Sequence, residues 1–412
     1  MRCRNCGNPN LVEMLDLGQM PLANALLDPL SSTKPARTFP LGWNYCEMCG
    51  LVQLTHIHSP IELYEDYPFV TGTAETTREH FRELAHRIVE VLETWFSKRK
   101  KMLVLDIGSN DGTLLKEFKW LGFKVVGVEP ADNIAKIAKD AGIPTVTAFW
   151  SPDVARKVIQ EYGNPDVVTA TNVFTHVDDL TTFLEAMDIA LAPNGVLVLE
   201  LYYLPSILQA TAWDMIYHEH LTYFTLKTLQ NTLRRRGYDV FHAEITPVHC
   251  DSLRVFVKAI GDETHPVDGS VDELLAKEGV MDLPTSIGEF ARRIEAVKGK
   301  TKHFFDEVHR LQQLVIGYGA PAKATTYLNY CGVSSYDMAH VIDDNPLKWD
   351  RVIPGTGISI VGPEWLKAGD ADIALILAWN LADDIKAEVR RMRGESVRVF
   401  VATPGKGPVE MS

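Results

Sequence analysis

The chain has 412 residues, 46% of them hydrophobic and 23% charged, which supplies enough apolar material for two or three cores and excludes general disorder. A formal net charge of −13 argues against a protein that grips nucleic-acid phosphates. There is no run of about eighteen uncharged apolar residues and no apolar leader, so the expectation is a cytoplasmic protein with no membrane partner.

Residues 1–70 hold Cys3-Arg-Asn-Cys6 and Cys46-Glu-Met-Cys49, four of the six cysteines, separated by loop-forming residues and too little apolar material for a core. Paired Cys-x2-Cys spacing suits four thiolates closing a tetrahedral, structural Zn2+ site with no open coordination position; reduced thiols without metal are the plainer alternative. Over 75–98 the positions Phe81, Leu84, Ala85, Ile88, Val89, Val91 and Leu92 recur at helical spacing. Strand-like stretches at 102–106, 124–128, 167–170 and 195–200 then alternate with helical ones at 113–121, 131–141 and 180–191, predicting a parallel sheet with helices on both faces. A β-rich end follows at 252–257, then a connector closing in a long helix over 287–313. Strand-like 314–319, 338–342 and 373–378 mark a second such unit. The expected fold class is α/β: a zinc module (1–70), a central Rossmann-like unit (71–258), a connector (259–312) and a C-terminal Rossmann-like unit (313–412).

Val104-Leu-Asp-Ile-Gly-Ser-Asn-Asp-Gly-Thr-Leu-Leu115 reads as strand, glycine turn and helix. Gly108 and Gly112 let a ligand approach the backbone closely, and the helix start offers N–H groups. Asn110 and Asp111 put a carboxylate where a dinucleotide's pyrophosphate would lie, which favours a cationic ligand. Glu129 ends the next strand about twenty residues on, where a carboxylate commonly holds a ribose diol. With Asp106 these residues point to S-adenosylmethionine; a βαβ turn without ligand is the alternative. Phe149 either stacks on adenine or belongs to the core, and Asn172, opening Asn172-Val-Phe-Thr-His176, is grouped with the cofactor residues.

These motifs, together with Leu17-Gly-Gln-Met-Pro-Leu-Ala-Asn24, Tyr217-His-Glu-His-Leu-Thr-Tyr-Phe224 and Gly317-Tyr-Gly-Ala-Pro-Ala-Lys323, resemble, in order and over the whole chain, the three-domain nucleotide-sugar C-methyltransferases, which act on thymidine diphosphate keto-deoxysugars. The resemblance implies a zinc-binding lid, a class I methyltransferase unit and a C-terminal unit that helps to hold the nucleotide-sugar. Methylation at carbon requires a base for the proton beside a carbonyl and donors toward the enolate oxygen. The resemblance makes His220 that base, with Tyr217 and Glu219 orienting it or the sugar. His176, at the C-terminal edge of the sheet, is either a carbonyl-side donor or a structural histidine. A His-Glu-x-x-His metal site would need histidine at 222, where Thr222 stands, so that pattern fails. Substrate-side residues are expected to be Tyr67, Tyr202, Arg254, Tyr318, Lys323 and Asn329, with Lys323 suiting a phosphate. The Gly317 turn, with Asp343 and Asp344 after the next strand, leaves open an NAD(P)H site and a bifunctional methyltransferase and ketoreductase. A relative methylating another small-molecule acceptor and a non-catalytic binding protein are the remaining alternatives. The expected partner is a small-molecule substrate, and the chain a monomer or homodimer.

Three segments depart from the family pattern. Tyr67-Pro68-Phe69 has phenylalanine in place of a second tyrosine, which removes a hydroxyl. His249-Cys250-Asp251-Ser252 stands where His-Gly-Gly is usual, and Ile353-Pro-Gly-Thr-Gly357 has glycine where relatives often carry histidine. All three fall in substrate-facing segments, whereas the cofactor segments are intact.

Overall fold

A computed structural model describes residues 1–29, 36–64, 67, 69–97, 102–247 and 250–411; Pro68 and His249 of the departing segments lie outside the described residues. The described residues form three sheets. In the N-terminal unit, β1 (Val12–Pro21), β2 (Thr38–Tyr45) and β3 (Val52–Leu54) pair antiparallel, so this region is more regular than its loop-rich composition suggests.

In the central unit, β4 (Leu103–Ile107), β5 (Lys124–Glu129), β6 (Thr145–Thr147), β7 (Val167–Thr171) and β8 (Val196–Tyr202) are parallel. The two-residue β9 (Thr222–Tyr223) leaves this unit and pairs with β3, completing the N-terminal sheet. Strands β10 (Tyr238–Thr246) and β11 (Ser252–Ala259) return to the central sheet, β11 running antiparallel to both β8 and β10. The sheet order is β10-β11-β8-β7-β4-β5-β6.

Alternation along β4 sends its side chains to opposite faces. Val104 joins Leu84, Ile88, Leu114 and Phe118 from the helices Glu75–Val91 and Thr113–Trp120, whereas Leu105 joins Phe183, Leu184, Leu229 and Leu233 from the helices Leu180–Ala190 and Leu226–Arg234. Both faces are therefore covered, and polar ligands are left the edge where the parallel strands end.

The connector forms the helices Gly269–Glu278 and Leu283–Arg310. Beyond it, β12 (Val315–Tyr318), β13 (His340–Ile342), β14 (Ser359–Val361), β15 (Ile373–Ile376), β16 (Arg398–Thr403) and β17 (Gly407–Glu410) form a third sheet, parallel except for β17. One apolar cluster runs through all three units: Trp43 of β2 stacks on Phe290 of the long helix at 5.3 Å, and Trp213 stacks on Tyr327 at 5.5 Å. Among the described residues, no helix is long and apolar enough to cross a membrane.

Candidate active site

The cysteine pairs fold as matching turns. Gly7 N–H donates to the Cys3 carbonyl and Gly50 N–H to the Cys46 carbonyl, each glycine at positive φ. The four Sγ atoms lie within 4.8 Å of one another, with Cys3–Cys49 at 3.5 Å and Cys6–Cys46 at 3.6 Å. A zinc about 2.3 Å from each sulfur sets tetrahedral edges of about 3.8 Å, so the donor set fits. All four positions are taken by thiolates, which makes the role structural.

The glycine turn after β4 shows why its residues are small. Gly108 has φ +66°, and a Cβ there would lie 2.4 Å from Val173 Cγ2. Glu129 is buried and accepts Asn110 N–H at 2.9 Å and Ala131 N–H at 3.0 Å; burial raises its pKa against those two bonds. Asp106 accepts the Thr169 hydroxyl at 2.6 Å, and burial pushes its pKa up to about 7. Two buried acids beside an open glycine turn favour a cationic ligand. The Asn172 Oδ1 is buried without a hydrogen-bond partner among the described residues, an acceptor suited to a ligand's ammonium group. Phe149 is half-exposed, whereas Trp150 packs against the core and donates to the Phe183 carbonyl.

Two loop side chains do other work. The Asn110 side chain accepts Thr71 N–H at 2.8 Å and donates to the Phe69 carbonyl at 3.1 Å, pinning residues 69–71 over the turn. Asp111 accepts Thr113 N–H and the Thr113 hydroxyl, a contact at the helix start that holds its carboxylate within the turn.

At the same edge of the sheet, residues from distant segments converge. His220 is fully buried, with Nδ1 2.7 Å from the Met215 carbonyl oxygen. A carbonyl only accepts, so Nδ1 carries the hydrogen, and in the neutral imidazole Nε2 holds the basic lone pair. Its ring lies 3.9 Å from that of Tyr217, 4.4 Å from Tyr202 and 5.1 Å from His176. His176 Nδ1 is 3.0 Å from the Tyr64 hydroxyl, and burial lowers its pKa to about 4, leaving a neutral imidazole. Glu219 accepts Asn24 Nδ2 at 2.7 Å and the Tyr67 hydroxyl at 3.2 Å; burial pushes its pKa up to about 7. Burial holds the hydroxyls of Tyr67, Tyr202 and Tyr217 well above the ordinary phenol range, so all three are donors at neutral pH. Asn24 and Tyr64 were not assigned roles from the sequence. Asn24 lies within a quoted motif, whereas nothing local marks Tyr64.

The other expected substrate-side residues are dispersed. Arg254 sits in a buried ion network, with Nε 2.9 Å from Glu200 and two further nitrogens 2.7 Å from Glu200 and Glu244; His80 joins it 2.7 Å from Glu200, and Arg87 2.9 Å from Glu244. The Tyr318 hydroxyl donates to Asp344 at 3.1 Å. Asn329 donates to the Pro354 carbonyl at 2.9 Å, and a Cβ on Gly355 would fall 2.1 Å from its Oδ1, which accounts for glycine in that loop. Lys323 is buried within the C-terminal unit, bonds Asn380 and lies 4.0 Å over the Trp379 ring; burial lowers its pKa to about 8, against the nearby Asp214 and Cys250 of the central unit, which raise it. At the Gly317 turn, the Ala320 N–H, an amide open to a dinucleotide phosphate in a ligand-binding turn, is held by Asp343 at 2.8 Å. Cys250 and Asp251 both adopt positive φ, the conformation that glycines would take there without strain.

Comparison with known proteins matches three successive parts of the chain. Residues 3–64 match a zinc binding domain, 77–243 a methyltransferase domain and 247–404 the C-methyltransferase C-terminal domain. C-methyltransferase NovU of Streptomyces niveus is 31% identical over 404 residues, covering 98% of this chain and 95% of that protein. A ubiquinone biosynthesis O-methyltransferase of Azorhizobium caulinodans is 28% identical over 177 residues, 43% of this chain and 63% of that protein. The magnesium protoporphyrin IX methyltransferase of Synechocystis PCC 6803, solved with bound SAH, covers 46% of this chain and 88% of its own at 14% identity and a TM-score of 0.36. With three units matched in order and a relative aligned over nearly its full length, the chain belongs to the three-domain, S-adenosylmethionine-dependent C-methyltransferase family.

Proposed function

We propose that the chain methylates the carbon beside the ketone of a nucleotide-activated keto-deoxysugar, with thymidine diphosphate as the nucleotide part and His220 as the base. The observation that carries this reading is the His220 tautomer: Nδ1 is fixed on the Met215 carbonyl, so Nε2 is the proton acceptor, in a cluster of neutral hydroxyl and imidazole donors.

Bound S-adenosylmethionine supplies an electrophilic methyl group on a sulfonium. The turn at Gly108 and Gly112, Glu129 and Asn172 would hold it, with Asp106 adding negative charge nearby. His220 Nε2 takes the proton from the carbon next to the ketone, and the C–H electron pair moves toward the carbonyl oxygen as an enolate. Tyr217 donates to Tyr202, whose own hydroxyl donates toward that oxygen. With Tyr64 donating to its Nδ1, His176 carries hydrogen on Nε2 and is a second donor. The enolate carbon forms the new bond as the methyl leaves sulfur. Asn24 and Tyr67 hold Glu219 beside the base and orient the sugar. Lys323 suits the diphosphate, while Phe69, Cys250 and Asp251 mark where the substrate-facing segments depart from the family pattern.

The test combines mass spectrometry of products from labelled cofactor with a panel of thymidine diphosphate keto-sugars. The expected result is carbon methylation that His220→Ala abolishes, with S-adenosylhomocysteine affinity nearly unchanged. Methyl transfer to oxygen or nitrogen, or undiminished turnover in His220→Ala, would overturn the proposal.

A further inference from the structure

The segment before His220 is held from outside the central unit. It forms a turn, Trp213–Met215, and every residue from 213 to 216 is buried. Three side-chain hydrogen bonds reach it from the C-terminal unit or run back to it. The Trp379 indole N–H donates to Asp214 Oδ2 at 2.6 Å, the Thr326 hydroxyl donates to the Ile216 carbonyl at 3.1 Å, and the Trp213 indole N–H donates to the Pro404 carbonyl at 2.8 Å. Trp213 is also sandwiched against the helix Ala322–Cys331, 5.5 Å from the Tyr327 ring and 5.0 Å from that of Tyr330. Between two of the clamped residues stands Met215, whose carbonyl takes the Nδ1 hydrogen of His220.

We infer that the C-terminal unit positions the imidazole of His220: Trp379, Thr326 and the Pro404 carbonyl fix the 213–216 turn, and the Met215 carbonyl passes that placement to Nδ1. This rests on His220 being the base. An imidazole has two tautomers of similar energy, and only the one with hydrogen on Nδ1 presents Nε2 to a carbon acid. The Met215 carbonyl makes the choice, and on its own it belongs to a short turn with little regular structure to hold it. The clamp removes that freedom. Trp379 and Thr326 are positioning residues, distinct from any diphosphate contact that Lys323 makes beside them.

The test uses the full-length, zinc-loaded protein with S-adenosylhomocysteine bound, labelled with 15N-histidine, with the His220 signals assigned by their loss in His220→Gln. Trp379→Phe removes one indole N–H and keeps the ring, Thr326→Val removes one hydroxyl at constant shape, and the double variant removes both. In the parent protein, Nδ1 gives the protonated signal and Nε2 the unprotonated one. In the variants, both signals are expected to move toward the opposite tautomer, most in the double variant. Turnover of a thymidine diphosphate keto-deoxysugar should fall about tenfold in the double variant, while KM for S-adenosylmethionine stays within about twofold. Unshifted His220 nitrogen signals in both single variants and the double would overturn the clamp, whatever happens to turnover. Shifted signals with full turnover would sustain the clamp and overturn the assignment of His220 as base.

Discussion

Replacing Glu219 by glutamine tests how the site's acid is held. Its carboxylate is buried, accepts two side-chain donors and has its pKa pushed by burial from the ordinary 4.5 to about 7. The sign follows from proton counts. Below 4.5 both folded and unfolded chains carry the proton, between 4.5 and about 7 only the folded chain keeps it, and above 7 neither does. Ionisation in the fold therefore costs stability, a penalty that grows as pH rises and levels off above the folded pKa. The full shift of 7 minus 4.5 corresponds to about 3 kcal/mol, of which about 2 kcal/mol falls between roughly pH 5.5, where zinc thiolates still form, and roughly pH 8. Glutamine does not titrate, and the other raised acids cancel in the difference. Glu219→Gln should thus become more stable relative to the parent by about 2 kcal/mol across that window, on top of a constant loss of about 1–2 kcal/mol from the weakened bonds to Asn24 and Tyr67. Urea unfolding of both zinc-loaded proteins at the two pH values measures it. A stability gap that stays constant, or moves in the parent's favour as pH rises, would refute the reasoning.

The cofactor turn and the buried ion network yield two further predictions. Gly108→Ala places a Cβ 2.4 Å from Val173 at φ +66°, so the turn must shift and S-adenosylhomocysteine should bind about five- to thirtyfold more weakly by calorimetry, the equivalent of the roughly 1–2 kcal/mol that a left-handed alanine costs. Unchanged affinity would remove this turn from the cofactor site. Arg254→Ala strips the buried Glu200 of its guanidinium partner and should cost about 3–5 kcal/mol in urea unfolding, with acceptor KM unchanged in the folded enzyme. Normal stability with a raised acceptor KM would place Arg254 on the substrate.

What the sequence disclosed and what it hid differ in range. The cysteine pairs and the β4–turn–helix–β5 unit are local patterns in which spacing and residue type follow directly from geometry, and the fold has both. The partners of Glu219 and His176 are not local: Asn24 meets Glu219 across 195 positions and Tyr64 meets His176 across 112. Strand β9 is too short to announce itself, since two residues carry no periodicity. Arg254 illustrates register: it lies opposite Glu200 in the β11–β8 pairing, and nothing in its own segment reveals that an acid faces it there. Asn329 is similar, because its role depends on the loop at Gly355 folding back onto it.

Strand β9 also bears on how such proteins can be cut and recombined. The edge that β3 offers is capped by Thr222–Tyr223, two residues after His220, so a fragment ending near residue 64 would be left with bare amide and carbonyl groups along that edge, an invitation to self-association. Grafting an N-terminal module from a relative would likewise change the strand's partner just downstream of the histidine. The heritable unit is therefore discontinuous, and productive chimeras should exchange residues 1–64 and 217–223 together.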